Sequence, residues 1–475
     1  MIPSPPVPNE IACDVAVIGG GASGLAAAIA AARAGAAVCV IERDVEAGLP
    51  ILATGNGRCN LSNARLDPAR YRHPEAFRAV AGAAPEAQVA EFFESLGLLM
   101  AEEGEGRLYP VTRRAESVRD VLLSGCARAG AALRTCCTPA AARHDAAAGA
   151  WRLTLREPTA PLRPKRSADA HAALRAKRRA LGAAELGERS LTARRVIVAC
   201  GGSAAEAAAL FGLPHLAEEP VLCPLACTPA ACAPAAGTTA AGTTAAGASA
   251  ACAPAAGTPA AGRLRLEELD GLRVEGALAL LRGPAREPVA REAGEVLLRS
   301  YGVSGIAAFN LSRRARPGDL LELDLFPALT DDELAALLRR REGLIGPLAG
   351  AGPGWFDGLL APALGTAIGA TAAAAGDPLA CSAHLCKHLA LEVLGPACPE
   401  QAQVHRGGVP LAAIDPTTLA ALPGTAPALH VCGEALDMDA DCGGYNLAWA
   451  WLSGMRAGEN AARLAQEESP HARTV

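Results

Sequence analysis

Val15-Ala-Val-Ile-Gly19-Gly20-Gly21-Ala22-Ser23-Gly24 forms the first apolar run of the chain, and Glu42 closes the second, Ala37-Val-Cys-Val-Ile41. Read in order, these are a strand, a tight glycine turn, a helix, a second strand and an acid. That is the pattern of a dinucleotide site. Gly19 permits the sharp turn out of the strand. Gly21 lets backbone approach a pyrophosphate with no Cβ in the way, and Gly24 lets the helix lie close on the sheet. The helix start offers free N–H groups and partial positive charge to phosphates. Glu42 is positioned to accept the hydroxyls of an adenosine ribose.

Composition sets the frame around this motif. A chain of 475 residues predicts two or three domains and a large core. Its net charge of −5 gives no global sign of nucleic-acid or anionic-membrane binding. The 16 cysteines are not spaced as a disulfide scaffold, and there is no CxxC pair. Cys13, Cys39, Cys200 and Cys432 lie in strand-like runs as small hydrophobes. The loose set Cys223, Cys227, Cys232 and Cys252 is the one grouping open to a metal reading, and no metal is expected. Met1-Ile-Pro-Ser-Pro-Pro6 has neither the basic nor the apolar part of a signal peptide. The expectation is a reduced, cytoplasmic protein without a membrane span.

Two segments read as insertions. Residues 156–193 carry Arg163, Lys165, Arg166, Arg175, Lys177, Arg178 and Arg179 between strand-like runs. They suit a solvated hairpin loop with one alanine-rich helix, or a contact for RNA. Residues 226–262 are low complexity: Ala231-Cys-Ala-Pro-Ala-Ala-Gly-Thr238 recurs as Ala251-Cys-Ala-Pro-Ala-Ala-Gly-Thr258. Without large side chains such a segment builds no core, so it is expected to be disordered.

Beyond it, Arg273–Leu278 and Glu295–Arg299 read as strands, and 331–395 as mostly helical, with Thr330 and Glu333 spaced as a capping box. The expected order is a Rossmann-type domain from 1–205, a β-rich insert from 206–328, a helical subdomain from 329–398 and a return to the first domain from 399–475. Toward the C-terminus, Leu429–Cys432 reads as a strand, and Gly443-Gly444-Tyr445-Asn446 opens a last helix. One doubly wound domain with glycine loops at both ends suits a long cofactor. FAD fits that better than a nicotinamide nucleotide, and a single dinucleotide motif leaves no separate NAD(P)H domain.

Four further motifs occur in order: Thr54-Gly-Asn-Gly-Arg-Cys-Asn-Leu-Ser-Asn63, Gly106-Arg-Leu-Tyr-Pro110, Tyr301-Gly-Val-Ser-Gly305, and Gly433-Glu-Ala-Leu-Asp-Met-Asp-Ala-Asp-Cys-Gly-Gly-Tyr-Asn-Leu-Ala-Trp-Ala-Trp451. Together they resemble the BaiN-like (YhiN-like) flavoproteins over nearly the whole chain outside the two insertions. The resemblance implies an α/β fold. A discontinuous Rossmann-type domain binds FAD, and the inserted region is part β-barrel-like and part α-helical. Carried over by motif, Gly19, Gly21, Ala22, Gly24, Glu42, Arg58, Cys59, Asn60, Gly433, Asp437, Gly444, Asn446 and Leu447 line the cofactor. Arg43, Gly57, Glu434 and Gly443 beside them are included.

The resemblance also implies reduction of an activated C=C in an apolar 3-oxo bile-acid or steroid enone, driven by NADH or NADPH. Tyr109, Tyr301 and His405 are the candidate proton donors. Two alternatives are an oxygen-dependent, aminoacetone-type amine oxidase and a flavin-binding, RNA-associated protein. The chain departs from the family after Ala199-Cys-Gly-Gly202, where a second small Gly-Asp-Gly-Tyr-type loop is missing. It departs again at Val404-His-Arg-Gly-Gly-Val409, which puts His405 where relatives carry threonine. A small-molecule partner is expected.

Overall fold

The computed structural model describes residues 10–165, 167–230, 264–349 and 352–468. Most of the low-complexity segment, from residue 231 on, therefore lies outside the described residues. The chain divides into two compact units, one of Met1–Glu219 with Val404–Val475, the other of Pro220–Gln403.

The first unit is built on a parallel sheet. Glu10–Ile18 is flanked by Val38–Ile41 on one side and Leu186–Val198 on the other; Ala132–Arg134 and Leu429–Val431 extend the two flanks. The inner strands are runs of valine, isoleucine and alanine, as expected of a parallel sheet covered on both faces. Their register aligns the strand ends. Ile18 pairs with both Ile41 and Val198, and Val198 pairs with Val431. Four strands thus end at one edge, and the segments leaving them, Gly19–Gly21, Glu42, Cys200–Gly202 and Gly433, emerge side by side. Ligands of open α/β sheets bind at that carboxyl edge.

Leu186–Val198 is long enough to do two jobs. Its last residues belong to the parallel sheet, while its first half pairs antiparallel with Ala150–Pro158, which pairs with Thr138–Asp145. Helix Ala22–Arg33 packs on the C-terminal helix Tyr445–Glu467 with the backbones nearly touching. A Cβ at Gly454 would fall 2.4 Å from the Ser23 carbonyl oxygen, and one at Gly458 2.2 Å from that of Ala27. The two glycines are four residues apart, on one helix face.

His430 lies in the short strand Leu429–Val431, fully buried, with neither ring nitrogen hydrogen-bonded to the described residues. Burial, with Arg195 and Arg463 nearby, pushes its pKa down to about 3. An unfolded histidine titrates near 6.5. Between these values the unfolded chain takes up a proton that the folded one refuses. The neutral ring's contribution is complete above pH 6.5 and is lost as pH falls toward 3. The slope approaches about 1.4 kcal/mol per pH unit. His430→Leu is expected to flatten the acid limb of a Tm-versus-pH curve by that increment. Parallel curves for the two proteins would mean that the fold holds a charged ring.

The second unit is a closed barrel in the order Leu225–Pro229, Gly302–Ser304, Glu287–Arg299, Arg273–Arg282, Leu320–Asp324 and Leu389–Pro396. Alternate residues, Leu278 and Leu280, Leu321 and Leu323, Leu389, Leu391 and Val393, are buried. Helices Asp331–Ile345, Pro362–Ala372 and Pro378–Lys387 share the same hydrophobic cluster through Leu334, Leu338, Leu364, Ile368 and Leu385. Thr330 and Glu333 form the reciprocal capping box.

These boundaries differ from those expected along the sequence. The first unit runs on to Glu219 through helix Ala204–Phe211, and resumes at Val404. The strand that closes the barrel, Leu389–Pro396, comes after the helices, so barrel and helices are one folded body rather than successive subdomains. Among the described residues, no helix is long and apolar enough to cross a membrane.

Candidate cofactor site

The three glycines of the opening motif have distinct surroundings. At Gly19, φ is +108°, and a Cβ would lie 2.5 Å from the Ala199 carbonyl oxygen; at Gly24 it would lie 1.9 Å from that of Gly19. Both are demanded by the fold itself. A Cβ on Gly21 would meet nothing within 4 Å. Gly21 caps helix Ala22–Arg33, whose first N–H groups lack intrahelical acceptors. An open glycine at a helix start, at the carboxyl edge of a parallel sheet, fits a diphosphate.

Glu42 braces this turn. Its Oε2 accepts from the Gly20 N–H at 2.7 Å and its Oε1 from the Asp44 N–H at 2.7 Å. Each oxygen keeps a further lone pair for a ribose hydroxyl. The Gly48 N–H donates to the Gly20 carbonyl at 2.7 Å, closing the loop onto the turn. Arg43 reaches across to the Ser203 hydroxyl at 3.0 Å, joining this loop to the one after Val198.

The C-terminal part of the chain meets the same edge. Gly433 has φ +69°, and a Cβ there would strike the Ser23 hydroxyl at 2.3 Å. Its N–H donates to Ser453 Oγ and its carbonyl accepts from the Trp449 indole, each at 3.0 Å. Glu434 accepts the His405 N–H at 2.7 Å and stands 3.4 Å from His405 Nδ1. That carboxylate pushes the imidazole pKa up. His405 and Glu434 wall Gly202, where a Cβ would approach both within 3 Å. Glu434 and His405 thus sit with Gly202 and, through Ser203, with Arg43.

Asp437, Asp439 and Asp441 are almost wholly buried and each is matched by an arginine. Asp437 accepts from Arg72 at 2.9 Å and from the Gly407 N–H at 3.0 Å. Asp439 receives both arms of the Arg406 fork, at 2.9 and 3.1 Å, and Asp441 pairs with Arg70 at 3.2 Å. Arg70 and Arg72 carry no motif that marks them in the sequence, and Arg406 lies in the Val404–Val409 stretch with no sign there of its partner. The alternating acids at 437, 439 and 441 are the only signal for them.

The loop after the second strand is threaded through left-handed backbone at Gly55, Asn56, Gly57 and Cys59. With its amide oriented to suit its neighbours, Asn60 donates to the carbonyls of Ser62 and Leu108 and accepts from the Gly444 N–H at 3.1 Å. Asn63 donates to the Gly443 carbonyl at 3.0 Å, and the Trp451 indole to that of Leu61 at 2.8 Å. Asn446 binds Ala440 through both its amide atoms at 2.9 Å. These amides tie residues 59–63 to the start of the last helix, where Leu447 is half-buried. Burial pushes the Cys59 thiol up to about 11, which disqualifies it as a thiolate nucleophile. Arg58 lies 4.5 Å over the buried Tyr109 ring and pairs with Glu103.

Tyr301 belongs to the second unit, beneath Arg299, with its pKa raised by burial. Cys223 and Cys227 are buried free thiols there; Cys232 and Cys252 lie outside the described residues.

The family model of the HI0933-like protein Rossmann domain matches residues 13–154 and 150–460. The chain belongs to the HI0933-like family. Among its relatives is a 3-dehydro-bile acid delta(4,6)-reductase of Clostridium scindens, 29% identical over 472 residues, which cover 94% of this chain and 98% of that enzyme. A ribosomal RNA dihydrouridine synthase of Escherichia coli K12 is 26% identical over 123 residues, 26% of this chain and 30% of that one. Among solved structures, the open conformation of a flavocytochrome c3 fumarate reductase aligns at a TM-score of 0.43 and 13% identity, over 96% of this chain and 79% of that one. As an HI0933-like protein with an intact Rossmann-type FAD-binding domain, the chain is a flavin-dependent oxidoreductase with FAD as its cofactor.

Proposed function

We propose that this chain reduces an activated C=C, conjugated to a carbonyl, in a flat apolar enone of the 3-oxo bile-acid or steroid kind, with NADH or NADPH as electron donor. The near full-length similarity to a delta(4,6)-reductase carries the proposal. FAD, when bound, supplies hydride transfer. The chain's own residues do the rest. The Gly19–Gly24 turn and Glu42 hold the nucleotide half. Residues 57–60, Gly433–Glu434, Asp437 and the 443–447 helix start hold the other half. A proton must reach the carbon next to the one that receives hydride, and a donor must polarise the carbonyl. Tyr109, Tyr301 and His405 are the candidates; the Glu434 contact keeps His405 protonated to higher pH.

The match to a dihydrouridine synthase favours a second reading. Uridine also carries a C=C conjugated to a carbonyl, so the reaction class is the same and only the substrate changes. The test is product analysis. A dienone steroid, an amine and ribosomal RNA are each incubated with enzyme and NADH or NADPH. A gain of two hydrogens by the steroid supports the proposal. A saturated uridine with salt-sensitive RNA retention replaces it by the second reading. Turnover of the amine alone, with oxygen and without nicotinamide, overturns both.

A further inference from the structure

The sequence leaves the basic insertion without a role. In the structure it folds. The hairpin between Ala150–Pro158 and Leu186–Val198 carries helix Ala170–Gly182, capped by Asp169, whose carboxylate accepts the His171 N–H at 2.9 Å. Two of its cations are committed. Lys177 Nζ lies 2.5 Å from Glu46 Oε1, and the Arg178 guanidinium grips both carboxylate oxygens of Asp44, with Nε at 3.0 Å from Oδ1. Glu46 also receives Arg119 at 2.6 Å, and Arg119 Nε donates to the Ala47 carbonyl at 2.8 Å. Both carboxyls are held below their ordinary range by these cations.

The loop they hold, residues 42–48, is also the loop that braces the glycine turn from inside, through Glu42 and Gly48 to Gly20. It is therefore fastened on two sides: to the turn within, and without to the inserted helix and to Arg119. Charge makes the second fastening matter. Glu42, Asp44 and Glu46 put three carboxylates within five residues, next to a turn suited to a diphosphate. At ordinary ionic strength the charges act over about 8–10 Å. Uncompensated, they oppose an anionic ligand.

We propose that Lys177 and Arg178 are positioning residues for the nucleoside diphosphate half of the cofactor. They clamp the 42–48 loop and offset its charge, so that the inserted helix governs how tightly the cofactor is retained. This inference rests on the reading that FAD occupies the cradle.

The test follows the fluorescence of FAD released when the holoenzyme is diluted. Both side chains are about half exposed, at 41% and 52%, so Lys177→Glu with Arg178→Glu is expected to fold. Release should quicken about three- to tenfold, the range set by two surface pairs, while the melting of the apo form stays near that of wild type. Added salt should speed release from wild type and slow it from the reversed variant. Pairing Arg178→Glu with Asp44→Lys restores one bridge and should bring release back toward the wild-type rate. Wild-type release from the double reversal, or no recovery in the swapped pair, overturns the clamp alone. A wild-type protein that takes up no FAD overturns the cofactor reading and the clamp with it.

Discussion

Gly21→Val is expected to fold like wild type and to lose FAD. Gly21 has φ −82° and ψ −161°, which valine adopts without strain, and its Cβ would touch nothing within 4 Å. Valine is a poorer N-cap than glycine, so the substitution is expected to cost the fold about 1 kcal/mol. Its branched side chain instead fills the space at the helix start that a diphosphate needs. The apo Tm should fall by no more than a few degrees, while FAD affinity weakens more than about 100-fold, roughly 2.7 kcal/mol or more. Equilibrium titration with FAD reads the first-order effect, and calorimetry the control. Stoichiometric FAD in the variant would show that this turn is not the diphosphate site. Gly24→Val is the contrasting case, since a Cβ 1.9 Å from the Gly19 carbonyl breaks the fold before any ligand is tested.

Asp439→Ala is expected to cause the largest loss of stability. Asp439 is fully buried, and Arg406, itself only 22% exposed, gives it both arms of its fork. Removing one partner of such a pair leaves a desolvated charge and costs about 3–5 kcal/mol. In a unit of this size Tm should fall by at least about 6 °C. Replacing both partners, Asp439→Leu with Arg406→Met, should recover much of the loss, because no lone charge remains. A single variant within about 1 kcal/mol of wild type would mean that Arg406 reaches solvent or another acid.

Gly21 and Asp439 differ in how far the sequence reveals them. Gly19, Gly21, Gly24 and Glu42 are legible because each answers a local demand of a strand-turn-helix unit, and local demands are written in adjacent residues. The FAD-binding fold follows from them. The motifs at 54–63 and 433–451 are legible as a set, but the use of their members is not. Asp437 and Asn446 read as cofactor-lining. Both also have partners within the protein: Asp437 is matched to Arg72 from a distant segment, and Asn446 folds its own loop. Such pairings depend on which segments the fold brings together, and one chain's spacing does not encode that. The barrel's last strand, Leu389–Pro396, falls largely within a stretch that reads as helical. Its alternation of Leu389, Leu391 and Val393 is only a few residues long, and its partners lie more than 60 residues earlier, across the helices. The inserted helix shows the same limit. Its basic residues are plain in the sequence, but their acids, Asp44 and Glu46, are found only through the hairpin that returns them to the second strand.

Under the proposed function, the carboxyl edge of the sheet holds an FAD that passes electrons from a nicotinamide to an enone. Its most direct test is anaerobic, on the purified holoenzyme, following the yellow flavin band. NADH or NADPH should bleach the band. A 3-oxo-4,6-diene steroid added next should restore it, with matching loss of dienone absorbance. A band that neither nicotinamide bleaches, or that oxygen restores and the dienone does not, would overturn the proposed enone reductase.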